Sequence, residues 1–317
     1  MGLGRPAPSA RWVGPVYAAV GVLGFSFKAI LIKLAYADYP SIDAVTLLAL
    51  RMIYSAPFFV AMAWWASRSA GARPFTRSDW TSLAWLGFIG YYLASLVDFM
   101  GLKYISAALE RLVLFLYPTI VVLLSAWWEG RPITRRILLA LVISYAGIAL
   151  VFVHDLSFTG DRAALLTGGA LVLASAFLYA IYLVRAAGVI ARIGSLRFIS
   201  WAMLASTVFV LLQFGLTRPA ALLRVPASIH GISLAMAIFS TVLPTWLIAE
   251  AIRRIGSNAT SLVGSIGPVC TIGLGAMILG EPIYAIQLAG AALVLLGVTL
   301  VTLRRGSRPI AETAESP

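Results

Sequence analysis

The chain has 317 residues, 61% hydrophobic and only 11% charged, with a mean hydropathy of +0.95. That is far from the roughly 25% charged content of an ordinary soluble domain, and it excludes one. The formal net charge of +12 would suit nucleic acid only if it formed one contiguous patch, and the arginines are instead scattered over several short polar segments.

Apolar runs of the ~20 residues needed to cross a bilayer recur along the whole length without the every-second-residue alternation of barrel strands. An all-α integral membrane protein is therefore expected. The leading stretch MGLGRPAPSARW is weakly basic, but the run after it has full spanning length and no clear cleavage site, so it reads as a first transmembrane helix. Ten spans follow: 15–36, 42–66, 80–102, 105–128, 134–153, 163–185, 195–216, 229–252, 257–280 and 283–303. With the N-terminus inside, sixteen loop and helix-end cations, among them Arg77, Arg135, Arg192 and Arg253, fall on the inner side and five on the outer side. The bias of Lys and Arg toward cytoplasmic loops then puts both termini of this multi-pass protein in the cytoplasm. Trp64, Trp65, Trp127 and Trp128 lie at inner span ends and read as interfacial belt.

Five charges fall in the first five spans away from their ends: Lys28, Arg51, Asp98, Glu110 and Arg111. Each costs at least ~2.5 kcal/mol there and asks for a partner or a watery cavity. Lys28 is near the centre of the first span, with Gly24 and Gly21 one and two turns before it, a spacing expected to leave room beneath the ammonium. Arg51, Asp98, Glu110 and Arg111 share one depth in the outer half. They read either as a mutually neutralising salt-bridge network or as a substrate clamp and outer gate. Tyr54, Ser55 and Phe58 flank Arg51, and Tyr91, Ala94 and Ser95 flank Asp98, as in the wall of a cavity.

Sliding the chain by 150 residues lays 105–151 over 255–301 with thirteen identities, including Pro118 on Pro268, Gly130 on Gly280 and Gly147 on Gly297. Shared composition alone would give roughly four, so the chain is an internal duplication. At an offset of 152, Phe25 and Lys33 meet Phe177 and Arg185. Five spans per copy is an odd number, which forces the second copy into the membrane upside down, an arrangement typical of transporters. The expected division is a cytoplasmic N-terminus at 1–14, a first repeat at 15–153, an outer linker at 154–162, an inverted second repeat at 163–303 and a cytoplasmic tail at 304–317. Pro118 and Pro268 each remove a backbone donor and press on the carbonyl four residues earlier, so both spans should bend at matched places, with further kinks at Pro57 and Pro244. These four prolines are candidate hinges.

The ten-span duplication, the helix SLVGSIGPVCTIGLGAMILGE with the following PIYAIQLAGAALVLLGVTLV, and the weaker echo EGRPITRRILLALVISYAGIALV together resemble the drug/metabolite transporter superfamily. More narrowly they are similar to its EamA-type bacterial exporters, which include exporters of amino acids and aromatic metabolites. The resemblance implies two inverted five-helix repeats around a central cavity, with spans 5 and 10 outside it. It is specific for fold and weak for substrate, and the first copy departs from it by reading Glu129, Gly130 where the second reads Gly280, Glu281.

A zwitterionic substrate needs a cation for its carboxylate, an acceptor for its ammonium and apolar walls. Lys28 or Arg51 is expected to serve the carboxylate, Glu110 or Asp98 the amine, and Tyr91, Tyr117, Tyr179 and Trp246 the walls. Export of small metabolites, most simply neutral or aromatic amino acids, leads. An anion exchanger for sugar phosphates or nucleotides, clamping with Lys28, Arg51 and Arg111, is the alternative. A membrane-embedded enzyme is disfavoured because His154, His230 and the single Cys270 form no catalytic set, and the same scarcity argues against zinc and excludes an intrachain disulfide. Glu250 is expected to pair with Arg254 one turn on, and Glu281 to cap the tenth span. No cofactor is expected, the partners are substrate and lipid without nucleic acid, and a monomer suffices.

Overall fold

A computed structural model describes residues 8–68, 73–130, 133–158 and 160–302. Expectations for the extreme termini, and for Arg131, lie outside these residues. Ten helical spans appear: α1 (Pro8–Asp38), α2 (Ala44–Ser67), α3 (Arg77–Gly101), α4 (Ala107–Trp128), α5 (Arg135–Phe158), α6 (Arg162–Ile193), α7 (Ser195–Thr217), α8 (Ala227–Gly256), α9 (257–279) and α10 (Ala285–Thr302). The first eight are each long and apolar enough to cross a membrane, and α9 and α10 contribute shorter apolar helices. Helix α1 starts well before the expected residue 15 and runs through Pro15.

Polar side chains fix the helix starts. Asp43 accepts from the Val45 and Thr46 backbone N–H groups at 2.9 and 3.2 Å, and also meets Arg218 at 3.3 Å. Partial burial works against its charge, but the bonds from Thr46 and Arg218 outweigh burial and hold its carboxyl below the ordinary aspartate value. Thr76 and Asp79 form a reciprocal capping box at α3, and Arg192 at the end of α6 reaches Asp79 at 2.5 Å. Part of the arginine excess is thus engaged at helix ends.

The duplication is visible in backbone detail. Helix α4 breaks at residues 115–116 and α9 at 265–266, and Leu116 and Ile266 share φ −72°, ψ −16° just before the segments carrying Pro118 and Pro268. Gly130 and Gly280 end these helices in the left-handed region, at φ 64° and 67°, where a side chain would be strained. Helices α3 and α8 each contain a π-helical stretch, Gly87–Leu93 and Ile238–Val242, again about 150 residues apart. Such wide turns were not expected from sequence. In α8 the Ser240 and Thr241 hydroxyls satisfy the Met236 carbonyl, at 2.8 and 3.0 Å, with Thr241 three residues before Pro244. Helix α2, by contrast, passes Pro57 without interruption.

Helix pairing follows the same symmetry. Helix α1 packs on α8 and α9, and its counterpart α6 packs on α3 and α4; α2 pairs with α7, and α5 with α10. In the α5–α10 crossing Gly147 meets the Gly290 carbonyl, while Gly297 meets the Ala140 carbonyl, and these four positions are two pairs of repeat mates. The most apolar stretch of α5 is only 22% buried, against 67% for α4, so α5 lies at the periphery and α4 at the centre.

An added Cβ at Gly147 would stand 2.7 Å from the Gly290 carbonyl oxygen, whereas at Gly188 nothing lies within 4 Å. Gly147→Leu is therefore expected to cost about 1–3 kcal/mol through overpacking, seen as a lower thermal unfolding midpoint in detergent, with Gly188→Leu close to wild type.

Candidate substrate site

Four elements bring the intramembrane charges together, in a pattern that differs from the one expected. The Lys28 ammonium on α1 contacts Asp98 Oδ2 on α3 at 2.6 Å and Glu110 Oε1 on α4 at 3.4 Å. Asp98 and Glu110 are essentially closed to solvent, at 1% and 0% exposure, while Lys28 keeps 17%. Asp98 is thus neutralised by Lys28, a residue thought to lie apart from the outer-half group, and not by Arg51 or Arg111. Gly21 and Gly24 do not open space beneath Lys28. They are filled by Ile248 and Leu247, and by Pro244 with the Phe239 carbonyl, so their role is close contact of α1 with α8.

Arg51 donates through Nε to Thr241 Oγ1 at 2.9 Å and lies 5.6 Å from the Phe99 ring. Its Nη1 is buried without a partner. The π-helical turn of α8 is what supplies Thr241 here, linking a local irregularity to the site. Arg111 points toward α9, where an added Cβ on Gly267 would fall 3.0 Å from its Nη2. Among the described residues no carboxylate comes within ion-pair distance of Arg111, and its buried Nε is unpartnered. Ser26 of α1 donates to the Gly267 carbonyl at 3.2 Å, holding α9 against α1 at this point.

Three expected wall residues do meet. Tyr117 of α4 stands edge-on to Tyr179 of α6, centroids 5.2 Å apart; Tyr179 stacks on Tyr182 at 5.5 Å; and the Tyr182 hydroxyl meets that of Tyr91 from α3 at 2.8 Å. Gly90 gives the Tyr182 ring its place, since a Cβ there would collide with it. Tyr182 was not foreseen, although its position three residues after Tyr179 puts both on one face of α6. Arg111 lies within electrostatic reach of Tyr117, Tyr179 and Cys270, so the tyrosine row borders the unpaired guanidinium. Trp246 does not join this row; it faces Tyr17 of α1, 5.9 Å away.

Two other acids have settled roles. Glu250 pairs with both Arg253, at 2.5 Å, and Arg254, at 2.8 Å, as an ordinary helix-surface cluster. Glu281 does not cap α10. Its Oε1 accepts from the Ala107 N–H at 3.2 Å, at the start of α4, beside Lys33, whose ammonium donates to the Ile105 carbonyl at 3.0 Å. His154 pairs with Asp155 and packs on the Tyr284 ring, and among the described residues no group of three or more His, Cys, Asp or Glu could hold a metal.

Residues 12–153 and 166–303 each match the EamA-like transporter family, so the family unit occurs twice and accounts for both halves. The chain belongs to this family of membrane transporters, within the drug/metabolite transporter superfamily. It is 28% identical over 302 residues to a protein of Bacillus subtilis named "Uncharacterized transporter YcbK", covering 92% of this chain and 93% of that one. It is also 27% identical to the "Uncharacterized inner membrane transporter YicL" of Salmonella typhimurium, over 73% and 77% of the respective chains. A solved crystal structure of a protein 20% identical in sequence superposes with a TM-score of 0.64 over 96% of this chain and all of the other, a likeness of fold.

Removing Lys28 leaves two buried carboxylates without their cation. Lys28→Met is expected to cost about 3–5 kcal/mol of stability by thermal unfolding, and adding Asp98→Asn and Glu110→Gln to the same chain should recover most of it.

Proposed function

We propose that this transporter exports small zwitterionic metabolites, neutral or aromatic amino acids foremost, across the bacterial inner membrane by alternating access. The observation that carries this is the pairing of a guanidinium without a carboxylate partner, Arg111, with a cluster whose Asp98 Oδ1 and Glu110 Oε2 accept no hydrogen bond. Arg111 takes the substrate carboxylate, Glu110 and Asp98 receive its ammonium, and Tyr91, Tyr117 and Tyr179 give the side chain an apolar wall. Lys28 holds the acids in place, and Arg51 keeps α2 against α8. In this scheme residues 15–153 and 163–303 are the two moving repeats, both termini face the cytoplasm, a monomer is sufficient, and no cofactor takes part.

Alternating access is supported by a difference between repeat mates. Leu116 is 2% exposed and its mate Ile266 is 51% exposed, although their backbones coincide. In this reading the same helix is closed in on the side where Glu281 and Lys33 hold the start of α4, and more open at the other end of the bundle. Pro118 and Pro268 are the bends about which that difference reverses.

An anion exchanger of the same fold is the second reading, and one observation favours it: the acids pair with Lys28, leaving both Arg51 and Arg111 free of carboxylate partners. Uptake of labelled amino acids and of sugar phosphates into proteoliposomes separates the two. Movement of phenylalanine or a neutral amino acid, reduced about 10- to 100-fold by Arg111→Gln, is expected. Movement of a phosphate ester with no amino acid would overturn the proposal.

Access can be read separately. With Cys270 replaced by serine, a cysteine at 266 should react with a water-soluble maleimide faster than one at 116, and transported amino acid should narrow the difference. Absence of labelling at 266 would count against an opening on that side.

A further inference from the structure

Asp98 Oδ1, Glu110 Oε1 and Glu110 Oε2 are three buried carboxylate oxygens without a hydrogen-bond donor, in a cluster that holds one ammonium for two acids. The two carboxyls meet the same Lys28 ammonium, at 2.6 Å from Asp98 and 3.4 Å from Glu110, and two carboxylates have no donor to place between them. Like charges so close, away from water, cannot both be ionised cheaply. A single proton supplies what is missing: it neutralises one acid, leaves one charge for Lys28, and provides the donor that joins the pair.

The unpartnered donors nearby, Arg51 Nη1 and Arg111 Nε, make no hydrogen bond to either carboxyl, and Tyr36 of α1 gives its O–H to the Phe99 carbonyl at 2.8 Å. The charges acting on Glu110 are Asp98 of α3, Lys28 of α1 and its neighbour Arg111. Arg51 of α2 acts on Asp98 but gives its Nε–H to Thr241. Tyr179 of α6 and Cys270 of α9 lie toward Arg111, and at the outer end Lys33 and Glu281 are engaged with Ile105 and Ala107.

We propose that Asp98 and Glu110 form a proton-binding site that carries one proton in the empty transporter and releases it when a substrate ammonium enters, so that export is exchange of substrate for a proton. The carboxyl O–H breaks, the proton leaves to water, and the incoming ammonium replaces its charge, so the cluster keeps the same net charge in both states. The exchange step rests on the zwitterion reading above; the proton site does not. An inward proton gradient would then drive substrate outward, with the carboxyl pair as the point where the two compete.

Infrared difference spectroscopy of the purified full chain in lipid nanodiscs, titrated over about pH 5 to 10, tests the site without any substrate. Wild type is expected to show the carbonyl band of a dry protonated carboxyl, shifted in D2O. Glu110→Gln and Asp98→Asn should each abolish it, because either leaves one carboxylate for one ammonium. Glu281→Gln, which alters another acid with a buried unpartnered oxygen, should leave it intact. No band in wild type, a band kept in either cluster variant, or a band lost in Glu281→Gln would overturn the site. Coupling is read in wild-type proteoliposomes holding a trapped pH dye, in which a phenylalanine gradient should drive protons the opposite way. Phenylalanine movement without proton movement overturns the exchange. Failure of phenylalanine to move at all overturns the substrate proposal and leaves the proton site to be decided by the spectrum.

Discussion

Lys28 sits between two carboxylates inside a bundle whose outer surface meets lipid, and the rest of the architecture is arranged around the cost of that cluster. None of the three can be left alone at this depth: each isolated charge is expensive, and breaking a buried pair is worse than never having made it. Three helices of one repeat, α1, α3 and α4, must therefore meet at one level. The other repeat closes over them, with α6 against α3 and α4, and α9 against α1 through the Ser26 bond to the Gly267 carbonyl. Glycine at 267 is what lets α9 come this near to Arg111.

Four of the backbone irregularities serve this cluster and its surroundings. In a membrane a helix is interrupted only where its freed polar groups find partners, and the breaks in α4 and α9 and the wide turns in α3 and α8 all lie in the helix interior. Each has its mate about 150 residues away, so the deviations belong to the duplicated scaffold. Each also does local work: the wide turn of α3 includes Tyr91, that of α8 delivers Thr241 to Arg51, and the break in α4 separates the charged segment from Tyr117. Bends placed at matched depths in inverted helices are what the proposed alternating-access cycle calls for, since the repeats are related by a two-fold rotation.

Much of this was legible from residues alone. Spans follow from apolar runs, inversion from an odd number of spans per repeat, and the paired bends from Pro118 and Pro268. The pairing of charges was not legible, because depth along a helix can be counted but the direction a helix faces cannot. Asp98 was matched with arginines of similar depth, while the helix actually beside α3 and α4 presented Lys28. Gly21 and Gly24 were read as space for the same reason; small residues mark closeness as readily as emptiness, and here Ile248 and Pro244 fill them. Glu281 misled through local chemistry. An acid before proline suits the start of its own helix, but the nearest free N–H groups belonged to α4, more than 170 residues away in sequence. Trp246 was assigned by residue type, and type alone does not bring a ring to a site.

The two halves share backbone and differ in chemistry, and that division has a physical reason. An inverted repeat built with identical charges would place a second acid and base cluster in the other half, doubling the cost of insertion. Here the mates of Asp98 and Glu110 are Ile248 and Thr260, the first packed against Gly21 and the second donating to the Gly256 carbonyl at the end of α8, at 2.9 Å. The second repeat thereby supplies shape, hydroxyls and close contact, while the first supplies charge. In the proposed alternating-access cycle, a single charged cluster at the junction of the two halves faces whichever side is open. One site serving both faces in turn is what alternating access requires, and a second cluster in the other half would compete with it for the same ligand.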